Sequence, residues 1–435
     1  MSLPSPHATL AIIGAGSRGR SYARLAQAEG ARVVAVAEPD PLRRERLAAE
    51  HGIAPDHVFP GWEELLAHGR LADAVVIATA DREHTAPAIA AARRGYHLLL
   101  EKPMAPTEPD AVAIVDAVRE AGVYLVVCHV LRYTAYTAQI KELVSSGRVG
   151  QIASVEHLEP IGWWHFAHSY VRGSWAREEE SSSMLLAKSS HDLDWLSYVI
   201  DEPVSKVSSF GSLLEFRPEM KPAGAASRCL ECPVEPTCAY SAPRIYRRFL
   251  GDPVHEDWPL GVLTPDVTPD NLEAALRDGP FGRCVYDGFN DVVDHQVVSL
   301  EFASGATASF TVTAFSELDF RKTRIFGTRG SIEGDGRTVW FHDFLTDTKE
   351  QFDFDVDGTA SAADGHGGAD TELVRAFLRT IAGPRSESAE ELALTSLASH
   401  RIVWAAEESR RTGRVVSMRQ LPSTPLPVPL PTGSH

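Results

Sequence analysis

Two short motifs carry residue types suited to hydride transfer. Gly14-Ala15-Gly16-Ser17-Arg18-Gly19 closes the apolar run Leu10-Ala11-Ile12-Ile13, and Glu101-Lys102-Pro103 closes the run His97 to Leu100. A glycine-rich turn of the first kind aims free backbone N–H groups and a helix dipole at a phosphate. Its glycines let a dinucleotide pyrophosphate approach the chain. An amine such as Lys102 can hold a carbinol hydroxyl and take its proton while hydride leaves the carbon for a nicotinamide. Proximity to that cationic ring would lower the lysine pKa, and Pro103 confines its backbone to extended conformations.

A second constellation is Lys188-Ser189-Ser190-His191-Asp192-Leu193-Asp194. It reads as the start of a helix running to Ile200, with Lys188, His191 and Asp194 along one face. His191 is the side chain best able to exchange a proton near neutral pH, and Asp194 is a candidate to orient it. Substrate contacts are expected from Trp163, Trp164, His165, Arg172 and Trp175, with Arg132, Tyr133 and Lys188 beside them. Aromatic faces cover the C–H faces of sugar rings, and Arg, His and Lys donate to hydroxyls or an anion, which hints at an acidic sugar. The same tryptophan-rich run also fits core packing or an oligomer contact.

These groups need elements to hold them. Arg18 to Ala28 reads as a helix and Arg32 to Ala37 as a strand ending at Glu38, where a carboxylate would accept from ribose hydroxyls and favour NAD over NADP. Arg43 and Arg44 follow and leave a 2′-phosphate conceivable. Further strands are expected at Ala74 to Thr79, His97 to Leu100 and Val123 to Cys128, alternating with helices at Thr85 to Arg94 and Asp110 to Ala121. That alternation implies a parallel, doubly wound sheet whose ligand lies beyond the strand C-termini, where Thr79, His84, Glu101, Lys102 and His129 also fall.

After residue 150 the pattern becomes the two-residue alternation of an antiparallel sheet, closed by helices at Thr371 to Ile381 and Leu394 to Thr412. The expected organisation is a dinucleotide-binding Rossmann domain over 1–130 and a substrate-binding and oligomerisation α/β domain over 131–418. A cysteine-bearing insertion at 214–290, with little periodicity for a core of its own, and a disordered tail at 419–435 complete it. In the insertion, Cys229, Cys232, Cys238 and Cys284 suggest a closed, structural zinc site; reduced loop cysteines or a disulfide are the other options. Cys128 reads as a core residue.

The chain has 435 residues, 44% of them hydrophobic, and a formal net charge of −17. That length suits two or three domains, and the charge argues against nucleic acid and anionic membranes. There is no apolar run of membrane-span length and no signal-peptide pattern, so a cytoplasmic enzyme is expected.

The chain resembles the glucose–fructose oxidoreductase / inositol dehydrogenase (Gfo/Idh/MocA) family through Ala11-Ile12-Ile13-Gly14-Ala15-Gly16, Val36-Ala37-Glu38-Pro39-Asp40, Ile77-Ala78-Thr79 with His84, and Glu101-Lys102-Pro103-Met104-Ala105. The resemblance implies a Rossmann domain followed by an α/β domain with a large open sheet that makes oligomer contacts, giving a homodimer or homotetramer. It also implies NAD(P)-dependent oxidation or reduction of a sugar, sugar-acid or cyclitol hydroxyl. The alternative it offers is an NAD-dependent glycosidase that oxidises C3 transiently and eliminates the aglycone, for instance from an anionic sulfoquinovoside. In the family an aspartate commonly stands four residues before the histidine matched by His191; here that position is Ala187, with Lys188 beside it.

Overall fold

The computed structural model describes residues 8–354, 368–383 and 389–418. The tail expected at 419–435 lies outside the described residues. Six strands form the first sheet: β1 (Thr9–Ile13), β2 (Arg32–Ala37), β3 (Val58–Phe59), β4 (Ala74–Ile77), β5 (His97–Leu100) and β6 (Leu125–Val127). All pairs are parallel, in the order β3-β2-β1-β4-β5-β6. The apolar runs predicted as strands are buried because helices cover both faces. Strand order reverses between β1 and β4, which opens a crevice at their C-terminal ends.

Nine strands form the second sheet: β7 (Ile152–Pro160), β8 (Val204–Ser212), β9 (His295–Phe302), β10 (Thr307–Thr313), β11 (Lys322–Gly327), β12 (Gly330–Gly334), β13 (Thr338–Asp343), β14 (Thr348–Asp353) and β15 (Val416–Ser417). The order is β14-β13-β12-β11-β7-β10-β9-β8-β15; β7 and β10 are parallel and every other pair is antiparallel. Buried and exposed residues alternate along β9 and β10, so one face packs on the core and the other stands open.

The helix Met184–Ile200 lies beneath the packed face and is buried on nearly every side. Ser183 caps it through the Leu186 N–H, so Lys188 and His191 stand on its second and third turns rather than at its start. The C-terminal helix Ala389–Thr412 packs on Met184–Ile200 and on Glu108–Ala121 of the first sheet's cover. Ala393 and Leu397 join one core layer of the first sheet, and Leu373, Val374 and Phe377 of helix Ala369–Ala382 join the other. The chain's last helices thus return to the first sheet.

The segment between β8 and β9 departs from the expectation of a coreless loop. Helices Ala242–Arg247 and Pro269–Asp278 enclose Ile245, Tyr246, Phe249, Leu260, Leu272, Leu276 and Phe281 in a cluster of their own. Leu272 and Leu276 sit one turn apart behind the Thr268 cap and Pro269, but two or three turns give too short a period to stand out in sequence. Among the described residues no helix is long and apolar enough to cross a membrane.

Candidate active site

The turn after β1 is built for a close ligand. Gly14 has φ +91°, and a Cβ there would stand 2.6 Å from the Ala78 carbonyl oxygen. A Cβ on Gly19 would come within 1.9 Å of the Gly14 oxygen, so the turn and the helix Ser17–Ala28 can pack only as glycines. A Cβ on Gly16 would meet nothing within 4 Å. Gly16 also caps the helix without a side-chain acceptor, leaving first-turn N–H groups facing that space. The Thr79 hydroxyl, at the end of β4, is buried without a partner. A dinucleotide phosphate fits this combination of open room and unspent donors.

Glu38 is buried at the end of β2, where its carboxylate accepts the N–H groups of Ala15 (2.7 Å) and Asp40 (3.0 Å). It therefore ties the glycine turn to the second strand. Arg44 is turned to the carbonyls of Glu38 and Pro39. His84 bridges two loops, with Nδ1 at 2.7 Å from the Pro103 oxygen and Nε2 at 3.2 Å from that of Thr79.

Arg18 and Glu101 take structural partners. Arg18 donates to Glu101 (2.7 Å) and through both terminal nitrogens to Asp370 (2.8 and 2.7 Å), linking the glycine turn to a helix more than 350 residues away. Glu101 also accepts from Tyr22 (2.8 Å) and, with its other oxygen, from the Lys102 N–H (2.7 Å). Burial opposes ionisation of Glu101, but Arg18 and Lys102 outweigh it and hold its pKa below the usual range.

Lys102 reaches from the end of β5 to the helix Met184–Ile200, where its ammonium donates to the Ala187 carbonyl. In an α-helix that carbonyl serves the N–H four residues on, so Lys102 meets the turn that carries His191. Burial pushes the Lys102 amine below the usual lysine range and Lys188 adds to the effect, while Glu101 and Asp81 oppose it. Desolvation thus makes proton exchange easier than for a surface lysine.

His191 is buried, edge-on to His129 at 6.2 Å between ring centroids. Asp194, the expected orienter, is wholly buried and engaged by Arg132 (2.6 and 2.5 Å) and by the Ser399 hydroxyl (2.6 Å). Burial would raise its pKa, but Arg132 and His129 bring it down to about 2. Arg132 is correspondingly committed to Asp194, and Tyr133 packs against the first sheet's core. His129 stands 3.8 Å from Asp194, yet burial dominates and pushes it down to about 3. His400 accepts the Met104 N–H on Nε2 (2.8 Å), which leaves Nδ1–H to donate to Ser396.

Lys188 pairs with Glu159 of β7 at 3.0 Å. Glu159 also holds Arg321, which reaches Asp192 at 2.9 Å, and His157 meets Asp192 at 3.2 Å. This chain of buried charges fixes the helix against the second sheet. Burial depresses the His165 pKa well below its usual value, with Lys188, His168 and Lys102 adding to it.

The tryptophan-rich stretch divides. Trp164 is buried in the insertion's cluster, with Trp163 packed partly against it. His165 is half-buried and edge-on to Trp258 at 4.8 Å. Trp175 donates to Asp81, which also accepts from Ser181 (3.0 Å) and Ser182 (2.8 Å). Arg172 is buried and donates to the carbonyls of Arg283 and Tyr240, both at 2.8 Å. The structure therefore brings Lys102 to the helix that carries Lys188 and His191, sets His165 against Trp164 and Trp258, and gives Arg132, Arg172, Trp164 and Trp175 packing or pairing partners.

Sequence reading missed Asp81, Glu159, Arg321, Asp370 and His400. Glu159 and Asp81 end or follow strands, which is a usable signal; Arg321, Asp370 and His400 are placed by packing alone.

The four insertion cysteines are free thiols lining one recess. Among the described residues no three His, Cys, Asp or Glu side chains are disposed to hold a metal ion.

Residues 8–129 match the family model described as an oxidoreductase family, NAD-binding Rossmann fold, and residues 141–418 match its C-terminal alpha/beta domain. A 1,5-anhydro-D-fructose reductase of Ensifer adhaerens is 31% identical over 201 residues, 45% of this chain and 58% of the relative. A 2,7-anhydro-N-acetylneuraminate hydratase of Escherichia coli is 28% identical over 204 residues, 47% and 52% respectively. These alignments span little more than half of each relative. An oxidoreductase from Agrobacterium radiobacter, solved with NAD+, L-tartaric acid and magnesium, superposes with a TM-score of 0.66 at 17% identity. It covers 94% of this chain and 98% of that one, a likeness of fold.

Proposed function

From a chain that belongs to the Gfo/Idh/MocA oxidoreductase family, we infer an enzyme that moves hydride between a nicotinamide and a hydroxyl-bearing carbon of a sugar, sugar acid or cyclitol. The observation that carries this reading is the buried Lys102 amine, held by the Ala187 carbonyl on the turn that bears His191. NAD, when bound, supplies the hydride acceptor. The Gly14–Gly19 turn would hold its pyrophosphate and Glu38 its adenosine ribose; a 2′-phosphate near that carboxylate would be repelled, which favours NAD over NADP. One ammonium donor of Lys102 goes to Ala187, leaving two for a substrate hydroxyl. As an ammonium Lys102 orients that hydroxyl. Once it has lost a proton, which burial makes easier, the neutral amine accepts the hydroxyl proton as hydride leaves the carbon. His191 is the second group to exchange protons. Lys188, on the same helix and paired with Glu159, keeps further ammonium donors for a hydroxyl or carboxylate of the substrate.

The hydratase among the relatives favours a second reading, NAD-dependent cleavage of an anionic glycoside by transient C3 oxidation and elimination. One panel decides. Free sugars, sugar acids, cyclitols and chromogenic glycosides are supplied with NAD while NADH and aglycone are followed together. Stoichiometric NADH without aglycone establishes the dehydrogenase; aglycone without net NADH establishes the glycosidase.

The proposal includes a cytoplasmic homodimer or homotetramer, with 1–130 binding dinucleotide and 131–418 binding substrate. It also places a thiophilic metal at the insertion cysteines, zinc being the simplest occupant.

A further inference from the structure

Asp81 opens the short helical turn Asp81–Glu83 after β4 and is buried, with a relative exposure of 6%. Three side chains from the stretch that leads into the helix Met184–Ile200 close on it. The Trp175 indole N–H donates to its carboxylate at 3.2 Å, the Ser181 hydroxyl at 3.0 Å and the Ser182 hydroxyl at 2.8 Å. Beside it, Arg82 donates to the Glu178 carbonyl at 3.0 Å. Ser183, one residue past the last of these donors, caps the helix. The β4 loop is therefore fastened to the chain just where that helix begins.

Lys102 meets the same helix from the neighbouring strand. β4 and β5 pair in parallel with Ile77 opposite Leu100, so Asp81 and Lys102 both lie just past adjacent strand ends. His84 ties the two loops, standing between the Thr79 and Pro103 carbonyls. From there the Lys102 ammonium reaches the Ala187 carbonyl.

Burial is the largest influence on the Lys102 amine and favours its neutral form, with Lys188 and Arg18 adding to it; the carboxylates of Glu101 and Asp81 favour the ammonium. These two carboxylates differ in kind. Glu101 is paired with Arg18 at 2.7 Å, which offsets its charge. Trp175, Ser181 and Ser182 are neutral donors, so they fix the Asp81 carboxylate without cancelling its charge. In a poorly solvated interior such a charge couples to its neighbours more strongly than in water.

We propose that Asp81 is a positioning residue for Lys102: clamped by Trp175, Ser181 and Ser182, its carboxylate keeps the lysine an ammonium that bridges to the helix bearing His191. The inference rests on the reading that Lys102 handles the reacting hydroxyl, and names the group that holds its charge against Lys188.

The test compares Asp81→Asn, which keeps the side chain's size and an oxygen acceptor but removes the charge, with Asp81→Glu, which keeps the charge. Two readouts are followed against pH on the full chain. One is the rate at which trace acetic anhydride acetylates Lys102, read by mass spectrometry, which needs no substrate. The other is the limb of kcat/KM with the substrate that the panel identifies. In Asp81→Asn both midpoints should fall by roughly 0.5–1 pH unit, because an ammonium that loses a nearby negative charge gives up its proton more easily. Asp81→Glu should show less than half of that shift. An unmoved acetylation midpoint in folded Asp81→Asn would overturn the inference and leave Asp81 a structural tie, whatever its effect on stability. An acetylation midpoint that falls while the kinetic limb stays would support Asp81 and remove Lys102 from the titrating step. If Asp81→Asn does not fold, Asp81→Ser, whose hydroxyl can still bond to a serine, carries the same expected shift and the same overturning result.

Discussion

The Lys102 ammonium donates a hydrogen bond to the main-chain carbonyl of Ala187. The family resemblance suggests an aspartate at that position, but the chain provides a carbonyl there, a neutral acceptor that does not stabilise the charged lysine as a carboxylate would. Lys188, one residue on, lowers the Lys102 pKa further.

Lys102→Ala should reduce kcat by roughly 100- to 10,000-fold, the usual range for a lost general acid–base group. NAD affinity, read by fluorescence titration, should change by less than about threefold, because the pyrophosphate turn is untouched. Turnover near the unmodified level would remove Lys102 from the chemistry.

Lys188→Met removes a positive charge that depresses Lys102, so the Lys102 pKa should rise. If the rate grows with pH as that amine loses its proton, the limb in kcat/KM moves to higher pH. KM for acidic sugars should also rise more than KM for neutral ones. A limb at the same pH in both proteins would mean that another group titrates.

Arg18→Met tests the buried bridge to Glu101 and Asp370. Leaving two buried carboxylates without their cation should cost about 3–5 kcal/mol of stability in urea unfolding. Unchanged stability with NAD bound more than tenfold weaker would assign Arg18 to the phosphate instead.

Glu38→Ala should weaken NAD by several-fold and narrow its margin over NADP, since it removes both the ribose acceptor and the repulsion of a 2′-phosphate. It should also loosen the glycine turn, which Glu38 holds through the Ala15 N–H. The ratio of kcat/KM for the two cofactors is the measurement; an unaltered ratio rejects the assignment.

Acid should destabilise the protein in two stages. His129 is pushed down to about 3 and His168 likewise, against a usual value near 6.5. Between those values the unfolded chain binds protons that the native state does not, so stability falls as pH drops below about 6.5, by up to ~1.4 kcal/mol per pH unit for each histidine. Asp194, held at about 2, adds stability above the usual carboxylate value of about 3.9 and loses it as pH falls from there towards 2. His129→Asn should reduce the first-stage slope in Tm against pH, His168 supplying the remainder. It should also move the second stage to slightly higher pH, because one of the groups that depress Asp194 is gone. An identical first-stage slope would show that His129 is not neutral in the native state.

The Rossmann elements were legible because their signals are local. Buried parallel strands read as apolar runs, and Gly14 and Gly19 are required by contacts within a few residues or with the adjacent strand. The second sheet was legible through its two-residue alternation, visible in β9 and β10. The insertion's core was not, because Leu272 and Leu276 belong to a ten-residue helix whose apolar partners lie on other short segments.

By itself, the sequence determined the strand–helix alternation, the glycine turn with Glu38 behind it, and the position of Lys102 just past the end of its strand; it placed His191 at a helix start that the structure moves to Met184. Only the tertiary structure decided the partners: Arg18 with Asp370, Arg132 with Asp194, Lys188 with Glu159, Arg172 with the cysteine stretches. Periodicity records which face of an element is buried, whereas a buried charge pairs with whatever opposite charge or carbonyl the packing of distant segments brings within about 3 Å.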